Sequence, residues 1–481
     1  MALVQSNYTK TMAQTFYWYD LETSGTDPRW DRIVQFAGLR TDAALNEVGD
    51  AESFYVRLPD DVLPNPDATL VTGITPERAR AEGVSEWQAL TRIHALFAEP
   101  GTCVAGYNSL RFDDEFVRHG LYRALLDPYA REWQNGNSRW DIIDLVRAAG
   151  ALRRDGIEWP TDDDGLPVYK LERLTEANGI DHGNAHDALS DVRATVALAR
   201  LIRERQPRLF EYYFGCRNKK SVRALLEPFG ARLCVHVSGM YPRERFGTAP
   251  VVSVCRHPTN ANVIIVADLA EDVEPLVHGT EAEIREALFE PGNRNRPPLK
   301  QIRLNRCPFV AGIEVLDDEN TARLGFDYKL IRERQRRLSK PGLAQKLMRV
   351  FSGGGRGGRA ADAEAALYDG FIGDDDRSRC RELQARLAQG EWQDLDYGDP
   401  RLVTLAARLK ARSFPELMSP EELADWRDFV RDKLTAAETP WWNMARFHQR
   451  LVELGAERSP DDPVLAALSA HGQRLVRDYG L

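Results

Sequence analysis

The most constraining feature of the sequence is an aromatic and β-branched run, residues 15–19, followed at once by the acids Asp20 and Glu22. Residues of these types favour a β-strand. Side chains two apart in a strand lie on the same face, so the two carboxylates should lie side by side. Neighbouring carboxylates repel each other unless a cation lies between them, and Mg²⁺ or Mn²⁺ suits oxygen ligands. The run predicts either a divalent-metal site or a strand end with two solvated acids.

Length and charge set the scale of the protein. The chain has 481 residues, 43% of them apolar, and a net charge of −9 at pH 7. At roughly 150 residues per domain, about three domains are expected. The negative balance excludes a protein coated in positive charge, but it is compatible with an acidic catalytic cluster beside local basic grooves.

Cysteine usage and hydropathy indicate the compartment. The six cysteines are scattered, without zinc-ligand spacing or the density of a disulfide scaffold, so we expect reduced thiols. Residues 1–14 are polar and lack the apolar core of a signal peptide. No apolar run approaches the roughly 18 residues of a membrane span. We therefore expect a cytoplasmic protein.

Residues 10–205 read as one α/β domain. Runs 33–40 and 53–58 are predicted strands that follow the first one closely, which favours an antiparallel meander feeding a mixed sheet. A helix is predicted to start at Thr75-Pro76, and another to open within 137–145.

Two further acids in this domain fall at helix positions. Asp113 follows a predicted strand, 102–108, and lies near a helix N-terminus, where acids can simply interact with the helix dipole. Asp191 lies inside an amphipathic helix that continues to about residue 205. His186, five residues earlier, would share a face with Asp191 only from the entering loop or first turn, where it could act as a general base.

Beyond residue 205 the pattern changes twice. Residues 206–352 contain short strands between Gly, Pro and Asn turns, which suggest a small barrel with helices such as 281–290 inserted. Residues 353–361 are a Gly/Arg linker by composition, and 362–481 are helical, with a capping box at Ser419 followed by Pro420.

Positive charge concentrates between residues 329 and 349, a segment that contains eight basic residues and a single acid, Glu333. This asymmetry fits either a solvated helix face or a surface for DNA phosphates or an acidic protein tail. We favour the second, with four candidate contact residues: Arg332, Arg336, Arg337 and Lys340.

The acids and their contexts together resemble a known family. Asp20-x-Glu22 on the first strand, Asn108-x-x-x-Phe112-Asp113, and His186-x-x-x-x-Asp191 resemble the histidine subclass of the DEDDh exonucleases, in the ribonuclease H-like superfamily. Several other segments, at least through the first half of the chain, resemble the bacterial exonuclease I family in particular: 72–76, 137–141, 163–167, 184–188, 205–210 and 235–240.

The resemblance implies an architecture and an activity. The fold would be α/β: a ribonuclease H-like mixed-sheet exonuclease domain, an SH3-like β-barrel region with inserted helices, and an all-helical C-terminal domain. The activity would be processive 3′→5′ degradation of single-stranded DNA to 5′-mononucleotides, in DNA repair and recombination. The C-terminal domain would close a groove around the strand. The protein would be a monomer, and the acidic tail of single-stranded DNA-binding protein would dock on it.

The resemblance also assigns roles in two-metal-ion hydrolysis. Two Mg²⁺ ions, or Mn²⁺ as a substitute, would lie about 3.5–4 Å apart. Asp20 would bridge them, Glu22 and Asp191 would hold the ion that carries the attacking water, Asp113 would support the second, and His186 would take the water's proton. Two alternatives stay open from the residues alone: an RNA-directed 3′ exonuclease, since no motif reads a 2′-hydroxyl, and a non-catalytic nucleic-acid-binding protein.

Overall fold

The computed structural model describes residues 15–183, 187–293, 296–352, 360, 362–459 and 461–481. The chain divides into two compact units. The first unit comprises the described residues within 12–138, 183–193 and 358–481, and the second those within 139–182 and 194–357. The predicted linker 353–361 lies, except for Ala360, outside the described residues. The domain boundaries 10–205, 206–352 and 362–481 stay predictions.

The strands, in chain order, are short to medium in length. They are β1 Thr15–Thr23, β2 Ile33–Asp42, β3 Glu52–Tyr55, β4 Thr102–Gly106, β5 Ser138–Asp141, β6 Leu233–Val237, β7 Thr248–Arg256, β8 Val263–Asp268, β9 Leu299–Arg303 and β10 Phe309–Gly312.

The α-helices fill most of the remaining described chain. They are α1 Pro66–Thr72, α2 Pro76–Glu82, α3 Glu86–Ala98, α4 Asp113–Arg123, α5 Ile143–Leu152, α6 Leu171–Ala177, α7 Ala188–Arg205, α8 Pro207–Gly215, α9 Lys219–Leu226, α10 Glu274–His278, α11 Glu281–Phe289, α12 Asp318–Arg323, α13 Tyr328–Leu338, α14 Leu343–Ser352, α15 Asp374–Leu387, α16 Pro400–Ser413, α17 Pro420–Thr435, α18 Met444–Glu457 and α19 Pro463–Tyr479.

In the first unit, β1 is an interior strand. It pairs antiparallel with β2 and parallel with β4, and β2 pairs antiparallel with β3. The predicted meander and mixed sheet are therefore confirmed. Because β1 is hydrogen-bonded on both sides, its side chains are held with little freedom.

One face of β1 builds the core of the first unit. Tyr17, Tyr19 and Leu21 pack with Phe36 of β2, with α3 and with α4 in one buried apolar cluster. Since strand side chains alternate, Asp20 and Glu22 lie on the opposite face. Burial of the aromatic face thus fixes the direction in which the two acids point.

The C-terminal helices of the first unit pack on residues from its N-terminal part. Leu383 of α15 and Leu405 of α16 share a buried cluster with Tyr122 of α4 and Leu125. Helices α17, α18 and α19 form another cluster around Leu63. The predicted capping box at Ser419 is present, with Pro420 as the first residue of α17.

The second unit contains a five-stranded antiparallel sheet with the order β10-β6-β7-β8-β9. A bulge between Ser253 and Cys255 shifts the β7–β8 register, and such bulges increase local twist and bending. Helix α14 packs against both β7 and α11. The predicted mixture of short strands and inserted helices is confirmed here.

The helix expected to open within 137–145 is partly wrong. Residues 138–141 form β5, and the helix α5 begins only at Ile143. Trp140 is fully buried and meets the rings of Phe210 and Phe214 edge-on, each with centroids 5.2 Å apart. The tertiary packing of this indole favours an extended backbone at this position, although the polar residues around it had suggested the start of a helix.

Candidate active site

The three carboxylates of Asp20, Glu22 and Asp191 form the centre of the candidate site. Each can place an oxygen so that the three oxygens lie within 4.8 Å of one another. Asp20 and Glu22 come from β1, while Asp191 lies in the first turn of α7. Asp191 lies 171 positions after Asp20 and 169 after Glu22 in the chain, and the fold brings the three carboxylates together.

Asp113 lies next to this group. It is the first residue of α4 and is buried. Its charge raises the pKa of Asp20, second only to the effect of burial and ahead of the effects of Glu22 and Asp191. Asp113 is not one of the three acids whose oxygens converge within 4.8 Å, so it borders the group on the Asp20 side.

Burial and the mutual repulsion of the acids together disfavour their charged forms at this site. Burial raises the pKa of Asp20 well above its usual value, and the neighbouring carboxylates raise it further. Burial, Asp191 and Asp187 likewise raise the pKa of Glu22 to about 8. Crowded, partly dehydrated carboxylates of this kind are stabilised by hard dications, which compete with protons for the same oxygens. The donor set therefore fits Mg²⁺ or Mn²⁺.

His186 lies outside the described residues, so its place relative to the acids stays a prediction. The next residue, Asp187, is described: its carbonyl oxygen accepts a hydrogen bond from the Asp191 backbone N–H at 3.0 Å. Asp187 also contributes to the raised pKa of Glu22. The sequence interpretation missed this fifth acid, because no local pattern in the sequence marks its relation to Glu22.

The predicted basic residues lie on and just after α13, in the second unit. Arg337 pairs with Glu274 at 2.6 Å and with Glu333 at 3.1 Å, so nearby acids offset its charge. Arg332, Arg336 and Lys340 are exposed, and within the described part of the chain no acid pairs with them. Lys329, Arg332 and Arg336 follow helical spacing along one side of α13, and Lys340 comes just after its end. We call Lys329, Arg332, Arg336 and Lys340 the basic stripe.

A basic cleft that the sequence interpretation missed lies elsewhere in the second unit. Its volume is about 690 Å³, and its lining includes Arg147, Lys170, Arg173 and Arg243. Asp144 pairs with Arg147 at 2.7 Å, and Asp162 pairs with Arg243 at 2.6 Å. Asp162 and Asp163 also line the cleft, so its positive charge is partly offset. The cations come from three separate segments of the chain, so no single charge run in the sequence predicts the cleft.

Comparison with known proteins places this arrangement in a family. The family description "Exonuclease" matches residues 17–199, "Exonuclease I SH3-like domain" matches 217–353, and "Exonuclease I C-terminal domain" matches 361–475. Exodeoxyribonuclease I of Escherichia coli strain K12 is 40% identical over 474 residues, which cover 96% of this chain and 98% of the relative.

Solved structures agree with this result. Exonuclease I from Methylocaldum szegediense is 43% identical with a TM-score of 0.89, over 96% of this chain and 99% of that one. E. coli exonuclease I in complex with a dA16 oligonucleotide is 39% identical with a TM-score of 0.90, with the same coverage of both chains.

Acids on the central strand and on two helices beside a mixed sheet are the mark of a metal-dependent exonuclease, and that is the class of this enzyme. The similarity over almost the whole chain is more specific. The protein belongs to the exodeoxyribonuclease I family. It is a processive exonuclease that degrades single-stranded DNA from the 3′ end.

Membership also confirms the predicted fold class: a mixed-sheet exonuclease fold, an SH3-like region and a helical C-terminal region. In the part of the chain that the structure describes, every helix is too short or too polar to cross a bilayer.

Proposed function

We propose that Asp20, Glu22, Asp113 and Asp191 hold two Mg²⁺ ions and that His186 is the general base of the hydrolysis, which releases 5′-mononucleotides. The observation that carries this proposal is the convergence of the Asp20, Glu22 and Asp191 oxygens within 4.8 Å on a rigid interior strand and a helix. When bound, the two ions would provide an activated water and neutralise charge on the leaving oxygen.

The chain's own residues contribute position and proton transfer. The paired strand β1 fixes Asp20 and Glu22 with respect to each other, and the helix α7 presents Asp191 to them. His186 precedes Asp191 by five residues, and we assign its imidazole the role of accepting the water's proton. Repair and recombination, in which single-stranded 3′ ends occur, are the proposed setting.

Removal of the metal tests this proposal directly. We expect a 3′ exonuclease activity on end-labelled single-stranded DNA with Mg²⁺, and none with EDTA, because the four acids alone supply no activated water. Parallel assays on duplex DNA and RNA define the substrate. Undiminished release of nucleotides in EDTA would contradict the metal assignment.

The role of His186 can be tested through the pH dependence of the rate. We expect His186→Ala to lower the single-turnover rate by about 10²–10⁴-fold, the usual contribution of a general base. The acidic limb of the pH–rate profile should also disappear, because the group that must lose its proton has been removed. His182→Ala, a nearby histidine that contacts the Thr175 hydroxyl, is the control. An acidic limb that persists in His186→Ala would assign the base to another residue.

The basic stripe is the proposed surface for an anionic partner. A solved structure of SSB/exonuclease I in complex with an inhibitor contains a chain that is 38% identical, with a TM-score of 0.87 over 96% of this chain and all of its own. Single-stranded DNA-binding protein is therefore a proposed partner, through its acidic C-terminal tail. Exposed cations without paired acids, as in Arg332 and Arg336, are the groups such a tail or a DNA backbone would contact.

Charge reversal tests which anionic ligand, an acidic tail peptide or single-stranded DNA, binds the basic stripe. We expect Arg332→Glu/Arg336→Glu to weaken binding of an acidic tail peptide, of single-stranded DNA, or of both, and to flatten the salt dependence. For DNA the slope of log K against log salt should change by about 0.7 per lost phosphate contact. Arg337→Gln, whose charge is already offset by Glu274, should change binding least. Unchanged affinity for both ligands in the double variant would exclude the stripe.

Two further proposals concern the oligomeric state of the protein and its cellular compartment. All six cysteines are free and buried thiols, which suits the reducing interior of a cell and supports a cytoplasmic location. We also propose a monomer, because the helices at the C-terminus pack within the same unit as the candidate site.

A further inference from the structure

The turn between β1 and β2 follows directly after Glu22, and its own hydrogen bonds make it rigid. The Ser24 N–H donates to the Arg32 carbonyl oxygen at 2.8 Å, and the Arg32 N–H donates to Ser24 Oγ at 2.9 Å. The Asp27 N–H donates to Asp31 Oδ2 at 2.8 Å. Residues 24–32, the β1–β2 turn, are therefore mechanically continuous with the end of β1. A displacement of this turn would be transmitted to Glu22.

Side chains from the C-terminal helical segment hold this turn at two points. The guanidinium of Arg32, which is 1% exposed, pairs with the fully buried carboxylate of Glu364 at 2.5 Å. The Trp30 ring packs against the Trp441 ring with centroids 4.9 Å apart. Arg32 and Glu364 lie 332 positions apart in the chain, so their ion pair is a tertiary contact and not a local feature of the turn.

Glu364 is itself fixed from the C-terminal side. Its Oε1 accepts hydrogen bonds from Arg408 at 2.8 Å and from Arg412 at 2.6 Å, both residues of α16. Its Oε2 is the atom that pairs with Arg32. Burial alone would raise the pKa of Glu364, but the charges of Arg412, Arg32 and their neighbours outweigh it and hold the pKa well below its usual value. The carboxylate stays ionised, and it joins α16 to the turn.

We propose that Glu364 is a positioning residue for the chemical step: it anchors the β1–β2 turn, and through it Glu22 and Asp20, to α16. The C-terminal segment then contributes to the geometry of the metal site as well as to enclosure of the strand. This inference rests on the proposed role of Asp20 and Glu22 as metal ligands. Displacements near 1 Å at such a site can cost about 10²-fold in rate.

The test is Glu364→Gln, which keeps the shape of the side chain but presents an amide to three arginines. The readout is the single-turnover release of the first nucleotide from a 3′-labelled oligonucleotide, with excess enzyme, across a series of Mg²⁺ concentrations. We expect the maximal rate to fall about 10–100-fold and the Mg²⁺ concentration for half-maximal rate to rise, with DNA affinity in EDTA little changed. One cleavage event involves no processivity, so loss of enclosure alone would not produce this result.

A matched control exists beside Glu364. Asp362 pairs with Arg408 at 2.8 Å, in contact with the same helix but with no bond to Arg32. Asp362→Asn should leave the single-turnover rate and the Mg²⁺ dependence unchanged. A folded Glu364→Gln enzyme with wild-type rate and Mg²⁺ dependence would overturn the proposal. If Asp20→Asn is inactive in the same assay, the metal-ligand assignment survives that outcome; if Asp20→Asn is also active, the assignment fails as well.

A second variant covers the case in which Glu364→Gln does not fold. Trp441 is only partly buried, and Trp441→Ala removes the ring contact between the C-terminal segment and the turn while the ion pairs remain. Its neighbour Trp442, which packs on Arg446, provides the control Trp442→Ala. We expect Trp441→Ala to lower the single-turnover rate more than Trp442→Ala does. Equal rates in the two folded variants, with unchanged Mg²⁺ dependence, would reject the anchoring role.

Discussion

Asp20→Asn should abolish nucleotide release while the fold and the binding of single-stranded DNA survive. Asparagine has nearly the shape of aspartate but no negative charge, and Asp20 is the acid on which Asp113, Glu22 and Asp191 all act. Loss of several kcal/mol of charge stabilisation corresponds to a rate decrease of about 10³-fold or more. The measurement is the single-turnover rate at saturating Mg²⁺, with DNA affinity measured separately in EDTA.

The melting temperature of Asp20→Asn distinguishes a metal ligand from a structural residue. Removing one charge from a crowded group of partly buried acids relieves repulsion, so without metal the melting temperature should stay the same or rise. A large decrease would indicate a structural role instead. The control is Asp50→Asn, an exposed acid of the same unit, which should keep full activity. Near-normal turnover by a purified Asp20→Asn enzyme would remove Asp20 from the site.

Some of the acids could be placed by local rules of secondary structure, and others only by the family-like motifs. Asp20 and Glu22 followed from strand alternation, which is a local rule and needs no partner. Asp113 and Asp191 lie on elements whose approach to β1 depends on the whole fold, so only the family-like motifs connected them. Asp187 was missed because its relation to Glu22 depends on where the start of α7 lies, which no local pattern encodes.

The elements of the fold also divide into those that local sequence patterns predict and those that depend on tertiary contacts. The meander β1–β2–β3 and the capped helix α17 were predictable because alternation and capping residues act within a few positions. The strand β5 was assigned wrongly, because the fully buried Trp140 finds its aromatic partners in α8, far along the chain. The short strands β9 and β10 were not predicted at all; they lack long alternating runs and are defined by pairing with β8 and β6.

The contact surface assigned from the basic run stays a prediction, and the structure adds what the sequence could not give, the neighbours of each cation. Arg337, one of the four candidate contacts, pairs with Glu274, which lies 63 residues earlier in the chain. The same limitation hid the cleft lined by Arg147 and Arg243. Net charge in a segment can be read from sequence, whereas the availability of each cation depends on its three-dimensional neighbours.

Family membership decides between the alternatives that the residues left open. Similarity over 96% of the chain to exodeoxyribonuclease I covers the SH3-like and C-terminal regions as well as the exonuclease region. An oligoribonuclease from Aromatoleum aromaticum matches over only 40% of this chain at 26% identity. A dead nuclease fold would have no need for crowded, partly buried acids, whose mutual repulsion destabilises the folded protein unless cations bind.

The largest effect on stability is expected at Asp61, in the buried ionic cluster that contains Glu364. The fully buried Asp61 carboxylate accepts hydrogen bonds from Arg412 at 2.9 and 2.5 Å and from Lys433 at 2.6 Å. Asp61→Ala leaves two buried cations without this partner, so the free energy of unfolding should fall by about 3–5 kcal/mol. Denaturant unfolding measures the change.

The neighbouring residue supplies a matched control. Asp60 pairs with Arg474 at 2.7 Å, but its side chain is 30% exposed. A partly exposed pair contributes about 0–1 kcal/mol, so Asp60→Ala should cost far less than Asp61→Ala. Adding Lys433→Met to Asp61→Ala should recover part of the loss, because one of the two uncompensated charges is then gone. Equal costs for the two single variants would show that the cluster does not stabilise the fold.

The same carboxylate gives the effect a defined pH dependence. Burial would raise the pKa of Asp61, but the charges of Arg412 and Lys433 outweigh burial and lower it below its unfolded value. A lowered folded pKa stabilises the protein above the unfolded pKa of about 3.9 and loses that effect as the pH falls further. The stability difference between wild type and Asp61→Asn should therefore be constant from about pH 6 to 8 and shrink below about pH 4. A difference that grows on acidification would mean that Asp61 is not held as the charged partner of Arg412 and Lys433.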